Sequence, residues 1–480
     1  MINLPDDVPN PPVQYKLMFA KPTGRLWITH PGIFLLVCIL ATLPAPRAWA
    51  GAKPGEVQRL AQDLTPVGAV RAGNEEGTIP AWTGGITAPP GKYEPGMVHP
   101  DPFEGELPLL RVDASNLEEH AAHLTAGQVA MLQKYGDSYF INVYPTHRTA
   151  SFPQRIYDKT AGNGAGGRLT PDGEGVVDVA EGIPFPFPEN GRELIWNHKL
   201  RYKGPGSERR INLINATAGG DFQTVKIRIE VLDRYHQPGA TLESIDNQLL
   251  FLLQTIDSPA RLSGTLLLVH ESVNQALQPR KAWTYNPSRR RVVRAPNVAY
   301  DNPSAATDGL SVSDMADMFN GAMDRYDWTL KGKREIYVPY NAYPAHASDA
   351  EYEDLVLAGH LEPSLFRYEL HRVWVVEAQL RDGTRHINPR RTYYLDEDSY
   401  QILMAEHYDA RGELWRFSEA HPIVYYEVPT LWTTIETHHD LQSGRFVSYR
   451  QDTSAGAARF DTELSASQFS PQALRRKGKR

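Results

Sequence analysis

His438-His439-Asp440 is the densest run of metal-ligating side chains in the chain. Neighbours on a strand point to opposite faces, so the two imidazoles could share one ion only across a bulge. That spacing argues against a metal centre. His120 and His123 stand three apart on an expected helix and can share its face, but no third ligand accompanies them. His270-Glu271 lacks a second histidine four residues after the first, so it is not the metalloprotease helix. No Gly-x-Ser-x-Gly elbow presents a serine nucleophile. Asp396-Glu397-Asp398 has the carboxylates of a glycoside hydrolase, whose chemistry needs two of them at a set separation. Its setting reads as a hairpin turn, where acids are ordinary turn formers. Gly162 to Gly167 has the glycine density of a dinucleotide loop, but no buried strand precedes it. Pro171-Asp172-Gly173 stands where the helix of such a loop should begin. No catalytic residue, metal ligand or cofactor is therefore assigned.

The single cysteine, Cys38, lies in the apolar run Ile33–Leu40. Lys21 and Arg25 precede that run, and Ala48-Trp49-Ala50 follows it. A basic start, a short apolar core and a small-x-small exit are the parts of a secretory signal peptide. The run is far short of the roughly 20 residues of a spanning helix. Cleavage after Ala50 is the expectation, with Met18 as the expected start of synthesis. From Gly51 onward the chain has no thiol, which excludes disulfides, thiolate catalysis and cysteine-ligated metals. It also excludes a lipoprotein anchor through cysteine. Removing residues 1–50 moves the formal charge from −7 to −9, so a general nucleic-acid binder is not expected. Localisation to the periplasm of a Gram-negative bacterium follows as the expectation, with peripheral contact to the outer membrane.

The elements that must position any site are mostly strands. From about 191 onward the sequence alternates. Val225, Ile227, Ile229 and Val231 oppose Thr224, Lys226, Arg228 and Glu230. Phe366, Tyr368, Leu370, Trp374, Val376, Ala378 and Leu380 share one face. Arg367, Glu369, His371, Glu377 and Gln379 share the other, which predicts an antiparallel sheet with one wet face. Turn signals recur at Asn286-Pro287-Ser288, Asp382-Gly383, Asp396-Glu397-Asp398, Asp409–Gly412 and Ser443-Gly444. Ser115 with Glu118, and Thr125 with Gln128, read as capping boxes opening two helices. Met315–Met323 reads as a short helix after Ser313. The expected fold is β-rich α+β: a large curved antiparallel sheet with a few helices covering its concave face. The expected plan is an N-terminal extension and signal peptide over 1–50, then an irregular wrapping segment over 51–112. A single sheet-plus-helix domain over 113–460 and a basic, disordered tail over 461–480 complete it.

Several longer stretches carry a resemblance. They are Tyr144-Pro145-Thr146-His147-Arg148-Thr149-Ala150, Gly191 to His198, and Ala282-Trp283-Thr284-Tyr285-Asn286-Pro287 through Asp301. Phe319 to Ala322, Asp324 to Trp328, and Tyr337-Val338-Pro339-Tyr340-Asn341 continue it. These resemble the bacterial domain-of-unknown-function family 1329, described as outer-membrane lipoprotein-sorting-like, over roughly 55–455. The resemblance implies the fold of the periplasmic lipoprotein carriers LolA and LolB: a half-open antiparallel barrel with helices as a lid over a lipid-sized cavity. It also implies partners, namely a resistance-nodulation-division-type exporter and an outer-membrane protein. The chain departs from LolB in lacking a lipobox cysteine, and it is about twice the size of either carrier.

On that fold, Trp283, Trp328, Phe366 and Trp374 are the aromatics expected at the apolar concave face. Arg290, Arg291 and Arg294 are expected at its rim, where guanidinium meets a phosphate or carboxylate head group. The functional expectation is a non-enzymatic periplasmic carrier or adaptor for a hydrophobic, lipid-like cargo, without nucleic acid. The alternative is an exported hydrolase acting on an envelope polymer through carboxylate catalysis.

Overall fold

The alternating apolar pattern becomes strand through most of the chain. The computed structural model describes residues 55–478 apart from 61, 296–299 and 452. The expected signal peptide and its exit at Ala50 lie outside the described residues. In chain order, α1 (Glu56–Arg59) precedes β1 (Leu110–Val112), α2 (Ala126–Lys134), β2 (Ile141–Tyr144) and α3 (Gln154–Gly166). A small ribbon, β3 (Arg168–Leu169) and β4 (Val176–Val177), leads to α4 (Gly191–Leu200). Next come β5 (Gly206–Ala216), β6 (Phe222–Asp233), α5 (Leu242–Ile245), β7 (Gln248–Ser258), β8 (Leu266–Ser272), β9 (Lys281–Asn286) and β10 (Arg291–Arg294). They are followed by β11 (Tyr326–Pro339), α6 (Tyr343–Ala347), α7 (Tyr352–Leu355), β12 (Tyr368–Leu380) and β13 (Arg390–Asp396). The last elements are β14 (Ile402–Tyr408), β15 (Leu414–Tyr425), β16 (Thr430–Asp440), β17 (Phe446–Arg450) and α8 (Pro471–Lys477).

All but β3 and β4 join one open sheet of 15 strands. Its order is β1-β2-β12-β13-β14-β15-β16-β17-β5-β6-β7-β8-β9-β10, with β11 on the other side of β12. Two meanders, β12 to β17 and β5 to β10, meet where β17 pairs with β5. The expected large, open, helix-poor sheet is what forms. It is mixed rather than purely antiparallel, because β2 runs parallel to β12 at Val143↔Tyr368 and Tyr144↔Glu369.

The single wet face does not extend across the sheet. Along β12, Val373 and Val375 enter one buried cluster with Met131 and Leu132 of α2. Val376 and Ala378 enter another with Ile156 of α3 and Leu194, Ile195 and Trp196 of α4. Helices therefore cover both faces of the central strands, not one concave side. Arg367, Glu369 and His371, expected to be wet, are buried. The reason is local: segments before α3 and after β11 cross this face and supply polar partners. Glu377 and Gln379, at the far end of the strand, do reach solvent.

Helix signals held where the cap was complete. Thr125 Oγ1 accepts from Gln128 N at 3.2 Å and Gln128 Oε1 accepts from Thr125 N at 3.0 Å, opening α2. Ser115 does not cap; its hydroxyl donates to Asp113 at 2.6 Å, and only a 3₁₀ stretch follows at Leu117–His123. Residues 191–200, expected as strand, form α4, because Asn190 Oδ1 accepts from Glu193 N at 3.0 Å and Glu193 reaches back to Glu189 N at 2.7 Å. Met315–Met323 is not a helix. A 3₁₀ turn ends at Met315, and Asp317 and Met318 both take left-handed φ, 54° and 67°. The basic tail carries α8, capped by Ser470 and held by buried Leu474, where disorder was expected.

Candidate functional site

The carboxylates come first, because a hydrolase would need them free. Asp396, Glu397 and Asp398 are all buried at the end of β13. Asp398 is gripped by Arg148 through Nε and Nη2, both at 2.7 Å. Glu397 accepts from Lys333 at 2.7 Å and from Arg372 at 2.6 Å. Burial alone would raise its pKa, but Lys333 and Arg372 hold it below the usual range. Asp396 accepts from Ser399 at 2.6 Å and from Tyr340 at 3.2 Å. Burial, then the neighbouring Asp398, pushes its pKa up. A second knot surrounds Glu369, which accepts from Asn341 at 2.9 Å, from the backbone of His147 at 2.7 Å and from Arg367. Thr149 donates to Asn341 at 2.7 Å. Residues of the stretches 144–150 and 337–341 thus meet here, and their polar groups tie these two segments to β12.

The histidines are also engaged. His438 and His439 point apart, as strand geometry requires. His438 Nδ1 lies 2.7 Å from Ser418 Oγ and Nε2 2.8 Å from Glu436, while His439 Nδ1 lies 3.1 Å from the Gly359 carbonyl. The serine–histidine–carboxylate chain is buried within the sheet. His123 faces the Glu335 carbonyl at 2.9 Å. Among the described residues no group of three or more such side chains could hold a metal ion. A cleft of about 410 Å³ by the β5–β6 turn is lined by polar and charged groups that include Asn215, Arg261, Asp308 and Arg445.

The aromatics singled out from the sequence lie in three separate cores. Trp328 is buried beside Phe319, ring centroids 5.2 Å apart, and donates to the Met323 carbonyl at 3.0 Å. Trp374 joins the same α4-side cluster, with Lys333 Nζ 4.3 Å from its ring centroid. Phe366 lies on the α2 side against His421 at 4.3 Å. Trp283 is half-buried with His270 at 4.9 Å, in the cluster formed under α8. Arg290, Arg291 and Arg294 are exposed at the outer edge, Arg290 in the turn with φ 48° and the others on β10. The structure pairs Trp283 with Arg294 across β9 and β10 and does not bring the four aromatics together.

A different set of residues forms a partly exposed apolar strip. On β7 to β9, Phe251, Leu253, Leu268 and Tyr285 pack with Phe469 and with Leu474 of α8. Residues of opposite parity face the other way. Val231 pairs with Leu252, and Leu252 with Val269. Leu267 pairs with Thr284, and Thr284 with Val293. Val231, Leu252, Leu267 and Val269 are only partly buried, Val293 is 50% exposed, and none belongs to the four buried clusters. The helix packed on β8, β9 and β10 is α8, and it lies on the opposite face. Arg291 alternates with Val292 and so borders Val293 on this open face. The sequence carried a signal for it: Leu249–Leu253 and Leu266–Val269 are continuously apolar, hence apolar on both faces of the sheet.

Comparison with known proteins gives one family. The model of the family described as protein of unknown function (DUF1329) matches residues 111–475. The uncharacterized protein PA3922 of Pseudomonas aeruginosa is 40% identical over 454 residues, covering 94% of this chain and 99% of its own. A crystal structure of a DUF1329 family protein from Desulfovibrio piger is 16% identical, with TM-score 0.40, covering 57% of this chain and 92% of that one. A crystal structure of a LolA superfamily protein from Nitrosomonas europaea is 12% identical, with TM-score 0.36, covering 59% and 98%.

Proposed function

The chain belongs to the DUF1329 family, and from that premise we propose that it is a non-enzymatic periplasmic carrier or adaptor for a hydrophobic, lipid-like cargo. It would work with an inner-membrane exporter and the outer membrane. One observation carries the reading: the partly exposed aliphatic row on β6, β7, β8 and β10. Monomeric proteins rarely leave contiguous apolar surface without a use for it. Five strands about 4.8 Å apart span about 19 Å from β6 to β10, which suits one extended acyl chain. Ten methylenes buried at about 0.8 kcal/mol each give about 8 kcal/mol before the costs of association. That is enough for a reversible carrier, not a permanent trap.

The alternative hydrolase gains no support from its carboxylates. Those of Glu397 and Asp398 are already paired, Asp398 with buried Arg148 and Glu397 with Lys333 and Arg372. The test is native mass spectrometry of the chain purified from its own cell envelope, with solvent extraction of whatever accompanies it. A stoichiometric long apolar molecule is the expected result. A bare protein that stays bare after incubation with envelope lipids would overturn the reading.

A further inference from the structure

Two basic runs nearly 200 residues apart in sequence meet at one end of the sheet. The first is the β9–β10 hairpin, with Arg289, Arg290, Arg291 and Arg294. The second is α8, with Arg475, Arg476 and Lys477. Leu474 and Phe469 seat α8 against Leu268 and Tyr285, so its basic residues stand beside the hairpin. Lys477 pairs with Glu230. The six arginines are exposed, and no ion pair is found for any of them among the described residues. A chain of formal charge −7 has thus gathered unpaired positive charge at one edge.

Beside these cations the edge strand also exposes an apolar side chain. Val293, 50% exposed, shares one face of the edge strand with Arg291, and half-buried Trp283 lies cross-strand from Arg294 on the other face, the one that α8 covers. Guanidinium suits phosphate oxygens, while an exposed valine beside it suits the apolar side of the head-group region. A nucleic-acid surface would instead present aromatic faces for base stacking, and Trp283 is partly covered within the cluster under α8.

We propose that the β9–β10 hairpin and α8 together form a docking surface for an anionic lipid bilayer. The proposal rests on the carrier reading and deepens it. Val293 belongs both to the basic edge and to the end of the aliphatic row, so a molecule docked by this edge brings that end of the row to the membrane.

The test is co-sedimentation of the full chain with vesicles of phosphatidylcholine alone and of phosphatidylcholine mixed with phosphatidylglycerol. Preference for the anionic vesicles, lost at high salt, is the expected result. Arg475→Gln with Arg476→Gln should weaken partition on the order of 30-fold, and Arg289→Gln with Arg291→Gln and Arg294→Gln on the order of 100-fold. All five side chains are exposed, so the urea midpoint should not move. Equal binding to both vesicle types, binding unchanged in both variants, or tighter binding to duplex DNA would overturn the proposal. The two readings fail separately. A chain that carries cargo but ignores vesicles removes the docking surface and leaves the carrier; a bare chain that still prefers anionic vesicles does the reverse.

Discussion

Arg148 is buried, and two of its nitrogens meet Asp398 at 2.7 Å while Nη2 also donates to the Val70 carbonyl at 2.8 Å. Removing the guanidinium would leave Asp398 charged without its partner in a site that water does not reach. Arg148→Ala should lower stability by about 3–5 kcal/mol, read as a shift in urea midpoint at constant slope. An unchanged midpoint would mean that this ion pair is not a structural tie. Glu419 makes the opposite case. It is buried, its Oε1 accepts from Tyr368 at 2.8 Å, and burial pushes its pKa up to about 7. Its folded pKa lies above the unfolded value, so the folded state holds a proton that the unfolded chain releases first. That contribution is complete below about pH 4.5 and is lost as pH rises through about 7. Glu419→Gln keeps an acceptor for Tyr368 and removes the titration. The variant should match the native chain near pH 4.5 and exceed it by about 3 kcal/mol at pH 8. Parallel stability profiles of the two proteins would refute the shift. None of this was legible from sequence. The Asp396-Glu397-Asp398 run reads as a hairpin turn and is one, between β13 and β14, but the cation that holds Asp398 lies 250 residues away, and no local pattern records that.

Elements were legible wherever one local rule decided them. The alternation from Phe222 and from Phe366 gave strands, and the Thr125 box gave α2. α4 was missed because Gly191–Leu200 lies at the start of the strand-rich half, although Asn190 and Glu193 carry the same capping logic. Asn190→Ala should therefore cost about 1 kcal/mol, seen as a lower melting temperature. Asn190→Ser should restore most of it, since serine caps comparably. Equal loss in both variants would show that Asn190 acts by packing, not by capping. The burial of both faces of β12 to β16 was not legible, because strand alternation reports which side chains are apolar and not what lies above the polar ones. Glu369 and His371 look solvated by pattern and are instead enclosed with Arg367 and Asn341.

At the scale of the whole molecule, the two meanders are covered differently. In β12 to β16 both faces are filled, and buried ion pairs and histidines leave no room for cargo. In β6 to β10 one face is closed by α8 and the other is only partly covered. Leu252 and Phe251 are neighbours in sequence and lie on opposite sides of that divide. Phe251 packs with Leu253, Leu268 and Phe469, so Phe251→Ala should cost about 3–5 kcal/mol. Leu252 lies in the open row, so Leu252→Glu should change stability by less than about 1 kcal/mol, because the carboxylate can reach water. The same charge would stand in the path of an acyl chain, so the variant should purify without cargo while keeping the native urea midpoint. If Leu252→Glu unfolds the protein as readily as Phe251→Ala, the row is a core closed from both sides, and no carrier can be built on it. If it stays folded and loses its cargo, the face opposite α8 is where the molecule holds what it carries.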